Sequence, residues 1–497
     1  MAFNSALIDR LPKILHRAEQ VRAMDDYAIN TLGIPGLELM QNAGAASFKV
    51  IQQLWPKLAH ITILTGSGNN GGDGYIVAKL ALEAKLTVKV LTLAPPERLQ
   101  GDARLAYQSF QTAGGTVETF TSKWCPEDGF IVDALLGTGL DREVSGRYAD
   151  AIKIVNQFNG PVLSLDIPSG LNADTGFPMG NTVKADHTIT FIGLKQGLFT
   201  GFGKEFCGDI SYTTLGVPIE VQQSIEPSAE LITLNSAILP PRRQNAHKGS
   251  FGHVLVIGGE KGYLGAARLA GEAAMRVGSG LVSIATRQSH ASMMNFTRPE
   301  IMCHGVENSE NLLELSRRAT VIAIGPGLGQ SAWGREMLNT ALKLELPVVI
   351  DADALNLLAN QHSFRENWIL TPHPGEAARL LEISVEEVQR DRIATATAIQ
   401  KQYGGICILK GSGSIIFEKG SVPGICPLGN PGMATGGMGD VLTGVISGLL
   451  AQQLTLGDAA RFGTVIHSAA ADLAAEAGER GLLAGDLMVH LRRLVNR

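Results

Sequence analysis

Short apolar runs recur along the chain at spacings that leave room for one helix between neighbours. In the first half Ile61 to Leu64, Val88 to Leu93, Phe130 to Asp133 and Val162 to Asp166 predict strands. In the second half Val254 to Ile257, Val282 to Ala285, Val321 to Ile324, Val348 to Asp351, Trp368 to Thr371 and Ile406 to Lys410 do the same. Nearly continuous apolar strands separated by helix-length segments are the pattern of parallel sheets covered on both faces. Both halves are therefore expected to be α/β. Ahead of the first strand, the segments Glu19 to Asp25 and Leu39 to Gly44 predict two helices.

Between about Gly216 and Lys248 the periodicity lapses, while Pro218, Pro227, Pro240, Pro241, Arg242 and Arg243 accumulate. The expected organisation is a domain over residues 1–220, a linker over 221–245 and a second domain over 246–497. A length of 497 residues accommodates two large α/β domains. The sequence carries no repeat with a period of about 20 to 50 residues.

Composition narrows the function. The chain has 58 glycines and only 5% aromatics, which suits tight strand-to-helix turns around nucleotides better than sugar-stacking surfaces. A net charge of −5 argues against nucleic acid, because binding its backbone needs a basic face. Cys125, Cys207, Cys303, Cys407 and Cys426 form no C-x-x-C pair, so neither a disulfide framework nor a zinc site is expected. No stretch reaches the roughly 18 apolar residues that span a bilayer. Asp9, Arg10, Lys13 and Glu19 interrupt any signal-like apolar run. The expectation is a cytoplasmic protein, homo-oligomeric, with neither membrane nor nucleic acid as partner.

Two glycine-rich segments carry the candidate chemistry. Gly66-Ser67-Gly68-Asn69-Asn70-Gly71-Gly72-Asp73-Gly74 follows the first strand, and Gly436-Gly437-Met438-Gly439-Asp440 precedes the apolar run Val441 to Leu450. Glycine lets backbone N–H groups approach a phosphate, and a helix N-terminus adds unpaired donors and partial positive charge. Asn-Gly is also a hairpin-turn signal, and Asp440 could equally be a helix cap. The first segment departs from the Rossmann fingerprint, and no Walker sequence occurs anywhere in the chain.

Asp133 and Asp166 end candidate strands, at the edge where open α/β sheets bind ligands. Each could instead be a turn or capping residue. With Asn70 and Ser169 they form an oxygen-rich set that suits a group I or II cation. Asp440 can take a proton from an attacking hydroxyl while the loop amides stabilise a phosphoryl group in transfer. Lys410-Gly411-Ser412-Gly413-Ser414 reads as a β-hairpin turn before Ile415 to Phe417. His373, between Pro372 and Pro374, is expected in a rigid loop with no helical partner, and serves binding better than proton transfer. The Glu382 to Arg392 charge cluster reads as a solvated helix face.

The ordered set of motifs resembles a known family. Gly66 to Gly74, Asp133-Ala134-Leu135-Leu136-Gly137-Thr138-Gly139-Leu140 and Leu165-Asp166-Ile167-Pro168-Ser169-Gly170-Leu171 resemble the NAD(P)H-hydrate epimerase domain. His247-Lys248-Gly249, Gly325-Pro326-Gly327-Leu328-Gly329, Asp351 to Asn356, Thr371 to Glu376 and Gly436 to Asp440 resemble the ribokinase-like NAD(P)H-hydrate dehydratase domain. In order and extent the chain resembles the bifunctional NAD(P)H-hydrate repair enzyme family over essentially its whole length. The resemblance implies a Rossmann-like three-layer αβα domain followed by a ribokinase-like α/β domain. The first would interconvert the R and S hydrates of NADH and NADPH (NADHX and NADPHX). The second would dehydrate the S form with ADP and magnesium, giving AMP and phosphate.

Residue by residue, the resemblance implies potassium on Asn70, Asp133 and Ser169. It implies hydrate contacts from Asn69, Asn70, Gly71, Gly72 and Asp73, from Gly137, Thr138, Gly139, Leu140, Asp141, Arg142 and Glu143, and from Asp166. In the second domain it implies hydrate contacts from Ala266, Gly327, His373 and Asp440, and adenine-nucleotide contacts from Lys410, Gly411, Ser412, Gly413, Ser414 and Gly439. Epimerisation needs proton transfer at the hydroxyl beside the ring nitrogen, and Asp166 is the candidate general acid/base. Phosphorylation turns that hydroxyl into a better leaving group, which accounts for the nucleotide; the residues alone do not distinguish ADP from ATP. Two other readings stay open: a small-alcohol kinase in the second half, and a non-catalytic binding module in the first.

Overall fold

The computed structural model describes residues 8–126 and 129–497. The chain divides into two compact units, one ending at Glu230 and the other spanning Leu231–Arg497. The expected linker stretch contains short regular elements, Ile219–Gln223, Ala229–Leu231 and Leu234–Ser236.

The first unit is built on a parallel sheet of β1 (His60–Thr65), β2 (Thr87–Thr92), β3 (Val117–Thr119), β4 (Phe130–Ala134), β5 (Val162–Leu165), β6 (His187–Phe191) and β7 (Asp209–Thr213). Its order is β3-β2-β1-β4-β5-β6-β7, and every pairing is parallel. Helices α1 (Ala18–Asp26), α2 (Gly36–Leu54), α3 (Asn69–Glu83), α4 (Gly101–Thr112) and α5 (Gly146–Val155) cover it. Successive strand side chains point to opposite faces. Ile61 and Ile63 accordingly join a core with Ile76, Ala103 and Phe110, while Leu64 and Ile131 join another with Ala151 and Ile152. This is the three-layer Rossmann-like arrangement.

The second unit contains β8 (His253–Ile257), β9 (Leu281–Thr286), β10 (Met302–Gly305), β11 (Val321–Ile324), β12 (Val348–Ile350), β13 (Trp368–Leu370), β14 (Ile406–Leu409), β15 (Ser414–Glu418) and β16 (Gly424–Cys426). They run in the order β16-β15-β14-β13-β12-β11-β8-β9-β10. Pairings are parallel from β14 through β10, whereas β15 and β16 are antiparallel. The helices that matter to the site are α6 (Leu264–Arg276), α7 (Pro374–Leu381), α8 (Met438–Ala451) and α9 (Leu456–Ala474). At Gly444 a Cβ would lie 2.1 Å from Ala270 O, so only glycine lets α8 and α6 approach this closely. This is a ribokinase-like α/β unit. Among the described residues no helix is long and apolar enough to cross a membrane.

Candidate active sites

In the first unit a cavity of about 510 Å³ includes residues just beyond the carboxyl ends of β1, β4, β5 and β6. There β1 separates β2 from β4, the strand-order reversal at which open α/β sheets hold ligands. Asn69, Asn70, Asp73, Gly137, Thr138, Gly139, Leu140, Asp141, Arg142 and Asp166 all line it. Gly71, Gly72 and Glu143 do not. A Cβ on Gly71 would meet Gly66 O at 2.4 Å, and one on Gly72 the Met40 sulfur at 2.6 Å. These two glycines therefore serve close packing. The expected glycine loop is also shorter than its sequence suggests, because α3 begins at Asn69 with Gly68 as its N-cap. A hairpin turn is excluded, and the helix start leaves backbone donors without intrahelical partners at Asn69 to Gly71.

Asn70, Asp133 and Ser169 come together around Leu136. Asp133 is fully buried and accepts from Ser164 Oγ (2.8 Å), Ser169 N (2.8 Å) and Ser169 Oγ (2.6 Å). Burial raises its carboxyl above the ordinary value, opposed by those bonds from Ser169 and Ser164. Leu136 N donates to Ser169 Oγ at 2.8 Å, and Asn70 Nδ2 donates to Leu136 O at 3.0 Å. Asn70 Oδ1 is buried, with no hydrogen-bond partner among the described residues. Among the described residues no group of three His, Cys, Asp or Glu side chains could hold a metal ion. A cation here would rest on amide, hydroxyl and single-carboxylate oxygens, and the orphaned amide oxygen fits such a hard ion.

Asp166 follows β5 with φ +64, an uncommon backbone for a non-glycine residue, held by its N–H to Ile189 O at 2.7 Å. Its Oδ1 receives the ammonium of Lys195, Thr190 Oγ1 at 3.3 Å and Phe191 N at 3.4 Å. Lys195, only 1% exposed, also donates to Thr190 Oγ1 and Phe191 O, both at 3.0 Å. Asp73 and Asp25 face the same cavity. Burial, then the Asp166 carboxylate, pushes Asp73 well above the carboxylate range; burial likewise lifts Asp25 to about 6. Sequence reasoning missed Lys195, which sits in no recognisable motif, and gave Asp25 only as part of a helix.

In the second unit the candidate residues gather beyond the parallel strands. Asp351 directly follows β12, Thr371 follows β13 and Lys410 follows β14. Lys410 Nζ lies 2.6 Å from Asp351 Oδ1 and 3.7 Å from Glu376 Oε2. Thr371 and Thr443 hydroxyls donate to the two Asp351 oxygens, each at 2.9 Å. Burial works against ionised Asp351, yet Lys410 and the two hydroxyls outweigh it and hold it below the usual range. A Cβ on Gly439 would come 3.3 Å from Lys410 Nζ and 3.4 Å from Asp351 Oδ2, so the glycine segment lies directly over this pair.

Asp440 lies in the first turn of α8, whose N-cap Gly437 takes φ +92. Burial, then Asp351, pushes its carboxyl up to about 7, against the opposing pull of Lys410. Asp353 Oδ2 accepts Gly329 N at 2.9 Å, and a Cβ on Gly327 would lie 3.2 Å from that of Ala266, so these two expected hydrate contacts are neighbours.

His373 corrects an expectation. It caps α7, its Nδ1 accepting from Gly375 N at 2.9 Å and Glu376 N at 3.3 Å, while Glu376 Oε2 accepts His373 N at 2.8 Å. Proline at the first helical position and glutamate at the third complete a capping box that a lone-histidine reading overlooks. Gly411, Ser412 and Gly413 form the β14–β15 turn, with Ser414 Oγ donating to Gly411 O at 3.1 Å. Arg392 is a second correction: it is 1% exposed and donates to Leu409 O and Lys410 O, both at 3.2 Å, bracing that turn from inside. Asp351 and Glu376 lay in the motifs of the sequence without an assigned role.

Comparison with known proteins gives both halves counterparts. A family model described as NAD(P)H-hydrate dehydratase matches residues 254–493, and one described as YjeF-related protein N-terminus matches 36–197. The chain is 47% identical over 486 residues to a bifunctional NAD(P)H-hydrate repair enzyme of Coxiella burnetii, covering 97% of this chain and 99% of that one. It is 42% identical to the Escherichia coli protein of the same description, covering 98% and 95%. Among solved structures, a ribokinase-like superfamily protein from Enterococcus faecalis is 29% identical with TM-score 0.50, covering 54% of this chain and 96% of its own.

Proposed function

The chain belongs to the family of bifunctional NAD(P)H-hydrate repair enzymes, and on that footing we propose a division of labour between its halves. Residues 1–220 epimerise the R and S hydrates of NADH and NADPH. Residues 246–497, after a linker over 221–245, dehydrate the S hydrate with ADP and magnesium, releasing NAD(P)H, AMP and phosphate. The protein works in the cytoplasm as a homo-oligomer.

The observation that carries this reading is the position of Asp440 in the glycine-rich first turn of α8, within the field of Lys410. In the second unit Asp440 takes the proton from the hydrate hydroxyl as its oxygen bonds to the transferred phosphorus. Gly439 and the turn from Lys410 to Ser414 receive the nucleotide, with amides of the α8 start available to phosphoryl charge. Ala266, Gly327 and His373 contact the hydrate. The ring nitrogen then expels phosphate, and loss of a proton from the adjacent ring carbon to water gives NAD(P)H.

In the first unit Asn69, Asn70, Asp73, Gly137 to Arg142 and Asp166 contact the hydrate, and Asp166 handles the proton on its hydroxyl. Asn70, Asp133 and Ser169 would hold potassium, a reading supported by Asn70 Oδ1, which has no hydrogen-bond partner among the described residues, and the ion would supply positive charge to an anionic substrate.

A small-alcohol kinase shares the Asp440 chemistry, and stoichiometry separates the two. With pure S hydrate and ADP, the full chain is expected to yield NADH, AMP and phosphate in equal amounts. ADP consumption that leaves a stable phosphorylated product, with no NADH, would move the second unit to the kinase reading.

A further inference from the structure

Asp73 and Asp166 share one cavity but have opposite surroundings. Asp166 Oδ1 is bonded by the Lys195 ammonium, a hydroxyl and a backbone N–H, while its Oδ2 receives no hydrogen bond from the described residues. Asp73 is 9% exposed, and among the described residues no donor reaches its carboxyl. A buried carboxyl without donors or a cation of its own is stable as the neutral acid; one bonded by a buried ammonium is stable as the anion. Lys195 has all three ammonium protons committed, to Asp166, Thr190 and Phe191. It is therefore fixed in place and has no proton direction left for substrate.

We propose that Asp73 and Asp166 divide the proton work of epimerisation, Asp73 as donor and Asp166 as acceptor, with Lys195 the positioning residue that sets which is which. The proposal rests on the epimerase reading of this cavity. Asp73 gives its proton to the hydroxyl oxygen of the hydrate. The carbon–oxygen bond breaks with its electron pair on oxygen, water leaves, and the ring nitrogen lone pair forms a carbon–nitrogen double bond. A water then bonds to that carbon from the other face, its surplus proton passes to Asp166 Oδ2, and the double-bond pair returns to nitrogen. The net change is one proton moved from Asp73 to Asp166. Turnover of the opposite epimer, or exchange with solvent, restores it.

The pattern of charge around the pair agrees with that assignment. Asp25 and Arg22 from α1, Asp102 from α4, and Asp141 and Arg142 after β4 line the same cavity. Tyr148 on α5 lines it too, and His16, buried and carrying an unpartnered Nδ1, lies in the field of Lys195. The Asp166 and Asp25 charges both oppose ionisation of Asp73, whereas Lys195 favours it and is outweighed by burial.

The test is the pH profile of R-to-S conversion by the full chain, with the dehydratase rate on pure S hydrate as an internal control for folding. Wild type is expected to lose activity at high pH as Asp73 gives up its proton. Asp73→Asn should lower the epimerase rate by about 100-fold or more and remove the high-pH limb, leaving the control rate intact. Lys195→Met should lower the epimerase rate, and Lys195→Arg should restore it. Because Lys195→Met removes a buried ammonium, thermal unfolding of the variant is followed in parallel; Asp73→Asn gives an independent arm if it unfolds. An Asp73→Asn enzyme with wild-type rate and the high-pH limb intact would overturn the proposal. Absence of epimerisation by wild type would overturn the epimerase reading beneath it.

Discussion

Lys410 Nζ and Asp351 Oδ1 stand 2.6 Å apart at the carboxyl ends of β14 and β12, with Gly439 closing over both. The pair joins the β14–β15 turn, the sheet edge and the start of α8 in one charged contact, because Thr443 of α8 also donates to Asp351. Asp440 depends on it electrostatically: Asp351 raises its carboxyl while Lys410 lowers it.

Breaking this pair from one side leaves a buried charge uncompensated. Lys410→Met is expected to destabilise the second unit by about 3 kcal/mol, the usual scale for removing one partner of a buried pair. Equilibrium denaturation of the full chain measures it. A loss well under about 1 kcal/mol would mean that the Thr371 and Thr443 hydroxyls suffice for Asp351.

Asp440 predicts the pH dependence of dehydration. Burial, followed by the Asp351 charge, pushes its carboxyl up to about 7, and a base must be unprotonated to act. Below about pH 7 the dehydratase rate should therefore rise with pH, approaching tenfold per unit, and level off above it. Asp440→Asn should lower the rate by about 10²- to 10⁴-fold and remove this dependence. Initial rates on S hydrate across pH 5.5 to 8.5 check both.

Potassium should stabilise the first unit specifically. A ligand at about 100 times its Kd adds about 2.7 kcal/mol to the folded state. Replacing potassium by a bulky organic cation should lower the thermal midpoint of wild type, and Asn70→Ala should abolish the difference. An Asn70→Ala protein with an unchanged potassium-dependent shift would remove Asn70 from the cation site.

The apolar strands were legible because they are buried on both faces: Ile61 to Leu64 lies within His60–Thr65, and Val321 to Ile324 is matched at both ends. His187–Phe191 went unread for a physical reason. It reads His-Thr-Ile-Thr-Phe, and its buried His187, Thr188 and Thr190 are satisfied by tertiary hydrogen bonds, such as Thr188 Oγ1 to Cys207 O at 2.7 Å. Lys195 was invisible in the same way, since its partner Asp166 is distant in sequence and nothing local marks the pair. Arg392 looked solvated because a charged run on a helix usually is; its burial follows from carbonyls at the β14 end that no local pattern reveals. The glycine segments, by contrast, are marked by their place after an apolar strand and before an apolar helix, although the structure gives Gly71 and Gly72 to packing rather than to the cavity.

The most direct test of the two-site account is recovery of reduced-nicotinamide absorbance from a mixed R and S hydrate preparation, comparing wild type, Asp440→Ala and Asp166→Ala. Wild type should show complete ADP-dependent recovery and Asp440→Ala none. Asp166→Ala should show rapid recovery of the S fraction followed by a slow phase limited by the R epimer. No recovery by wild type with either ADP or ATP would contradict it.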